Sequence, residues 1–274
     1  MYSGTTFTNK SGGILGAHQK IDRVAYKHFT KLTQNNEDFP SMSQVLHFEG
    51  KNGPDGIKRK SPARDEPWHF YNPFDDEDTE LLVHIRRHYD ELVTELKKGN
   101  KERAAFNAAW LAHALVDGLT PAHHFPYEEK LSELRGGQGI ETRKTIKDKL
   151  IIPGDNMSDS LKKNWAMWGK GGVLSMHVMF EMGVAIMLAP LNFPKAVPTD
   201  ANIKKFTEIG LVEWFERAAR EIALLDMYDD FYAKGWSVKM ARQVRNHLGP
   251  IMIKTVCLAW FGASRDAGIL KGKK

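Results

Sequence analysis

Apolar residues recur at helical intervals along nearly the whole chain, and this pattern constrains the fold more than any other feature. Ile21, Val24, Ala25 and Phe29 stand at i, i+3, i+4 and i+8, a stripe that a 3.6-residue period places on one face. Strict alternation over five or more residues, the mark of a half-buried strand, is scarce. The expected class is therefore all-α. With 274 residues and 42% apolar content, the chain can bury one large core, and residues 1–274 are read as a single domain.

Punctuation divides the helical pattern. Two long helices are expected over 79–98 and 101–119, with Gly99-Asn100 as the turn between them and Pro121 stopping the second. Residues 51–73, rich in Gly, Pro and charge, read as an ordered loop leading to an acidic helix start at 75–80. From Tyr127 the chain turns polar and basic, with Gly136-Gly137 and Pro153-Gly154, so 127–170 reads as a surface insertion or lid. Helical patterning resumes over 171–189, 202–229 and 238–263, and 264–274 reads as a basic, frayed tail.

Composition narrows the chemistry. A single cysteine, Cys257, excludes an intrachain disulfide and any cysteine-based zinc cluster, so a metal site would draw on the 11 histidines and the carboxylates. The 39 Lys and Arg against 34 Asp and Glu leave +5, a balance that favours anionic partners without naming one. The first twenty residues are polar and do not read as a signal peptide, which makes the cytoplasm the literal expectation, with secretion the alternative for a trimmed sequence. The longest apolar stretch, 173–191, carries His177 and Glu181 and ends near Pro190, so it is expected to be a buried helix and not a membrane span.

The segment Trp110-Leu-Ala-His113-Ala-Leu-Val-Asp117-Gly-Leu-Thr-Pro121-Ala-His123 puts His113 and Asp117 four residues apart on one helical face. Pro121 breaks the helix and lets His123 return from outside it. His177 and Glu181 repeat the spacing on an apolar helix, where an ionised Glu is costly unless paired or metal-bound. One His/carboxylate pair at this spacing is more often a hydrogen-bonded core pair than a ligand set. Two pairs together with a post-proline histidine favour a metal. His28, His84, His88 and His247, among charged neighbours, are expected at the surface, and His124 is expected to make supporting or substrate contacts.

These residues resemble the zinc-dependent bacterial phospholipases C, which share a fold with fungal and plant single-strand nucleases. The resemblance rests on His113-x3-Asp117-x5-His123, on Trp68-His69-Phe70-Tyr71-Asn72-Pro73, on Asp55 fourteen residues before His69, and on Gly16-Ala17-His18 and His177-x3-Glu181. It spans most of the chain. It implies one zinc held by Asp55, His69, His113 and Asp117, another by His123, His177 and Glu181, and a third using His18 and sharing Asp117. Spacing favours Asp55 over Asp65 as the upstream carboxylate. Asn72 stands where the family has Asp, and the interval from His123 to His177 is longer than in compact members. The chain also begins Met1-Tyr2 where the family has an N-terminal Trp whose amine and carbonyl help hold the third zinc.

The implied reaction is phosphodiester hydrolysis with two or three Zn2+ ions, in which Asp55 orients or deprotonates the attacking water. Phospholipid is the first expected substrate, with transient contact at a membrane surface through an apolar approach face. Single-stranded nucleic acid is the alternative, with Trp165 and Trp168 for base stacking. A zinc-binding structural or interaction protein without turnover is the reading from outside enzymology. The basic excursion with Lys130, Arg135, Arg143, Lys144 and Lys147 is a candidate attractor of phosphate.

Overall fold

Helices follow one another in the order that the apolar spacing dictates. A computed structural model describes residues 1, 16–34, 36–58 and 60–270, and among these it contains no strand. The elements are α1 (Ala17–Leu32), α2 (Met42–His47), α3 (Pro54–Lys58), α4 (Glu80–Lys97), α5 (Lys101–Gly118), α6 (Tyr127–Leu134), α7 (Ile146–Leu150), α8 (Met157–Trp168), α9 (Val173–Leu188), α10 (Asp200–Ala223), α11 (Met227–Lys234), α12 (Val238–Gln243) and α13 (Gly249–Asp266).

The core forms around α5 and α13. Helix α5 carries Ala104, Ala105, Ala108, Ala109 and Ala112, all fully buried, and such small side chains let α4 and α13 pack closely against it. At Gly118 the approach is closest: a Cβ there would lie 2.5 Å from both Leu81 and Phe215. Trp260 of α13 is fully buried and donates its indole N–H to the Ala108 carbonyl at 3.0 Å, which satisfies its one polar atom inside the core. The turn from α4 to α5 forms as its sequence dictates, with Gly99 at φ 69° and the Asn100 side chain accepting from the Arg103 amide at 3.3 Å.

Several expectations change on folding. The 51–73 loop contains α3 and two short 3-10 turns. The 202–229 pattern is interrupted at Gly210 (φ 78°) and ends before a left-handed Asp226, after which α11 begins. The last pattern continues through a π turn at Val244–Leu248 and ends at Asp266, so the frayed tail begins as ordered helix; 271–274 lie outside the described residues. Insertion 127–170 holds three helices, α6 to α8, and α6 and α8 pack against α9. Helix α9 is not enclosed: Phe180, Val184 and Leu188 are fully buried, while Val178, Met179 and Ile186 on its other side are exposed.

Candidate metal centre

The end of α5 brings the candidate ligands together. Because α5 stops at Gly118, the chain turns through Thr120, whose amide donates to the Asp117 carbonyl at 2.8 Å, and His123 is carried back beside Asp117. Among the described residues, two groups place three ligand atoms within 4.8 Å of one another: His18, His113 and Asp117, and His123, His177 and Glu181. Both His/carboxylate pairs read from helical spacing belong to these groups. His177 and Glu181 reach theirs from α9, so the long interval after His123 loops out above the site. His18 comes from the first turn of α1, where its ring stacks on that of His113 at 3.9 Å with 4° between planes.

The four-residue set of Asp55, His69, His113 and Asp117 does not close in this way. Lys58, one turn after Asp55 on α3, sends its ammonium 3.0 Å from the Asp55 carboxylate and 3.6 Å from Asp117, so a cation already neutralises both acids. Asp55 stands 3.7 Å from His113 Nε2. His69 donates from Nδ1 to the Pro67 carbonyl at 3.1 Å, leaving Nε2 as the free lone pair. Asp65 points elsewhere and pairs with Arg64 at 3.4 Å. The amine of Met1 forms an ion pair with Asp117 and lies 3.2 Å from Glu181, so an amino group stands among these ligands although the residue is not Trp.

The polar groups at the centre are arranged to suit a cation. His123 presents Nδ1 to the His69 carbonyl at 3.1 Å and Nε2 to Glu181 at 2.8 Å. Burial, then the Met1 amine, lower His123 to about 4, so at neutral pH one ring nitrogen is a lone pair facing an acceptor whichever tautomer is chosen. Nε2 of His18 and Nε2 of His113 approach opposite oxygens of Asp117 at 3.1 and 3.2 Å, yet those nitrogens and Asp117 Oδ2 make no properly oriented hydrogen bond. Nδ1 of His177 is likewise buried without a partner. A shared ion would turn these close, misdirected contacts into ligand sets.

Charge tuning follows the same layout. Burial opposes ionisation of Asp117 and Glu181, but the Met1 amine and nearby histidines outweigh it and hold both well below the usual carboxylate range. Burial also opposes the charged form of His113; the Glu49 and Asp117 carboxylates prevail and raise it to about 10. Against burial, Lys58 and His113 keep the Asp55 carboxyl below its ordinary range. Glu49, fully buried, accepts from His113 Nδ1 at 2.9 Å. Sequence reasoning missed this residue and Lys58, since neither stands at a ligand spacing.

Above the ligands lies a cavity of about 560 Å³ lined by Asp55, Lys58, His69, His123, His177 and Glu181 on one side. Trp68, Phe70, Tyr127, Leu174, Val178 and Met182 form its apolar walls. The insertion covers it and is fastened by ion pairs, Arg143 with Glu128 and Lys149 with Glu66. Arg143 is thus a buried clasp that also lines the cavity. Lys130 pairs with Glu133, and Arg135 donates to the Asp148 and Ile151 carbonyls; Lys144 and Lys147 stay exposed.

The remaining histidines divide. His28 and His88, expected at the surface, are buried, with His28 Nε2 on the Phe193 carbonyl and His88 Nδ1 on Asn107, each at 3.1 Å. They lie inside because they continue the core stripes of α1 and α4. His84 is half-buried and His247 exposed. His124 donates to the Gly118 carbonyl at 2.9 Å and so fastens the end of α5, one step from Asp117.

Comparisons with family models, curated proteins and solved structures return no match for this chain. The two ligand groups are compatible with two metal sites.

Proposed function

We propose that this chain is a zinc-dependent phosphodiester hydrolase of the phospholipase C type, related to the family it resembles, and that phospholipid is its substrate. The observation that carries the reading is His123, a ring with an acceptor at each nitrogen, placed beside Asp117 and beneath a largely apolar cavity. Zinc would be held by His123, His177 and Glu181 and by His18, His113 and Asp117, with Asp55 and His69 completing a site once Lys58 withdraws. When bound, zinc supplies Lewis acidity that neutralises phosphoryl charge and makes water acidic enough to attack at neutral pH.

The chain's own residues supply the rest. Asp55, anionic and on the cavity wall, accepts the proton of the water as its oxygen bonds to phosphorus, and that proton passes to the alcohol oxygen released when its P–O bond breaks. Lys58, once displaced from Asp55, offers an N–H to a phosphoryl oxygen. Trp68, Phe70 and Tyr127 wall off bulk water and strengthen those interactions. The aromatic walls also suit base stacking, so single-stranded nucleic acid is the second substrate to try.

The test is metal content by elemental analysis, with hydrolysis of bis-p-nitrophenyl phosphate measured with and without chelator. Two or three zinc ions and chelator-sensitive turnover are expected. His113→Ala should lose metal and activity, while the exposed His247→Ala should lose neither. Equal metal content in the two variants would sink the site assignment, and metal without turnover would favour a structural role.

A further inference from the structure

A phospholipid substrate needs an apolar approach to the cavity, and the helices of the insertion provide one. On α8, Met157, Leu161, Trp165 and Trp168 are 91%, 73%, 67% and 44% exposed. Their spacing places all four within about 80° of one another around the helix. Helix α9 is apolar on nearly every side, a composition that normally means enclosure. Its inner face carries His177 and Glu181 to the ligands, yet Val178, Met179 and Ile186 remain 37%, 55% and 55% exposed on the outer face.

By length and composition Met157–Leu188 passes for a membrane-crossing stretch, but Gly171 (φ 76°) divides it into two helices that pack on each other. The two outer stripes therefore belong to adjoining helices. Ile146, Leu150 and Ile151, on and just after α7, add to them at 51%, 42% and 45% exposure. Leu150, Trp168 and Val178 are exposed and also line the cavity, so this apolar surface runs to the cavity mouth. The indole of Trp168 donates to the Leu150 carbonyl at 2.7 Å, joining α8 to α7 at that edge.

Charge selects the occupant. Residues 143–170 contain seven Lys and Arg against three Asp; with Arg143 and Lys149 paired to Glu128 and Glu66, the segment still presents a net +2. Lys144, Lys147, Lys162 and Lys170, which alternate along the segment with these apolar side chains, are exposed. A second copy of the chain would cover the apolar face only by opposing one lysine-rich rim to another. An anionic bilayer covers it and neutralises the rim.

We infer that the outer face of α7 to α9 docks on an anionic phospholipid surface, seating its apolar side chains at the acyl boundary with the cavity mouth turned toward lipid. The inference rests on the hydrolase reading for its purpose, but docking itself requires no metal.

Co-sedimentation of the full chain in chelator tests it, using vesicles of phosphatidylcholine alone or with about one third phosphatidylserine. Partitioning to the mixed vesicles should exceed that to neutral ones by about tenfold or more and weaken in high salt. The double variant Leu161→Ser/Trp165→Ser should lose about tenfold or more of that binding while hydrolysing bis-p-nitrophenyl phosphate like the parent when zinc is present. Lys162→Glu/Lys170→Glu, which leaves the apolar face intact, should lose the preference for anionic vesicles. A parent that stays in the supernatant with both vesicles overturns the inference. So does a folded double variant that binds undiminished, or a dimer by light scattering that the double variant breaks. Vesicle binding without turnover of the soluble diester removes the hydrolase reading and leaves the docking surface standing; turnover without vesicle binding does the reverse.

Discussion

Replacing Glu49 by Gln probes the metal centre without touching a ligand. Glu49 Oε1 accepts from His113 Nδ1 at 2.9 Å and from the Gly50 amide at 3.1 Å. A glutamine oxygen can keep both contacts, so the fold should persist and only the charge is removed. Carboxylates behind metal-bound histidines typically contribute 10- to 100-fold in affinity, about 1.4–2.7 kcal/mol. In the metal-free chain, however, Glu49 and Asp117 raise His113 to about 10 against burial. At pH 7 zinc must therefore displace a proton held by about three pH units, a cost on the order of 4 kcal/mol. Gln lowers that cost as well as the ligand's basicity, so the two effects oppose each other at neutral pH.

Glu49→Gln should accordingly weaken zinc at the His113 site by about tenfold at pH 7 and by more toward pH 9, where proton competition fades. Competition titration against a chromophoric chelator reads this, and the His123, His177 and Glu181 site, which Glu49 does not touch, serves as the internal control. An unchanged affinity at both pH values, or an equal loss at both sites, would refute the reasoning.

Lys58→Met removes the ammonium between Asp55 and Asp117 and should tighten zinc at the His113 site by about tenfold or more in the same titration, while slowing diester turnover. Gly118→Ala drives a Cβ to 2.5 Å from Leu81 and Phe215, both fully buried; urea unfolding should show a loss of about 1–3 kcal/mol, with lowered zinc content because Asp117 is the adjacent residue. Metal-free protein should lose stability as the pH rises. Glu49 and Asp117 raise His113 to about 10 in the folded chain against about 6.5 unfolded, so its contribution is complete below the unfolded value and lost on approach to 10. Melting temperature in chelator should fall from pH 7 to 9, and His113→Gln should flatten that fall.

Helical content was legible because its signals are local. The spacing predicts helices over 79–98 and 101–119, and the structure has Glu80–Lys97 and Lys101–Gly118, since the intervening Gly and Asn act within a few residues of themselves. His113 with Asp117, and His177 with Glu181, were legible for the same reason. Helices α7 and α8 were hidden by polarity, although Thr145 with Asp148 forms a capping box and Asn156 caps α8. His28 and His88 were misplaced by weighing charged neighbours over register. His28 stands four residues after Val24, and His88 continues Leu81 and Ile85, so the helical period had already turned both inward.

What spacing alone does not convey is closure. Glu49 meets His113 across 64 positions of chain, and Lys58 meets Asp117 across 59. Neither contact leaves a periodic trace, because each is set by the path of residues 49–58 against α5. The same limit explains the unenclosed face of α9. Its uniformly apolar composition is compatible with enclosure by protein or by lipid, and only its packing on α1, α11 and the π turn, as well as on α6 and α8, shows which half the protein itself covers. The half it leaves open adjoins the cavity mouth and carries lysines at its edge. An apolar stretch read as buried thus has two faces on one helix, with His177 and Glu181 turned inward and Val178, Met179 and Ile186 turned outward.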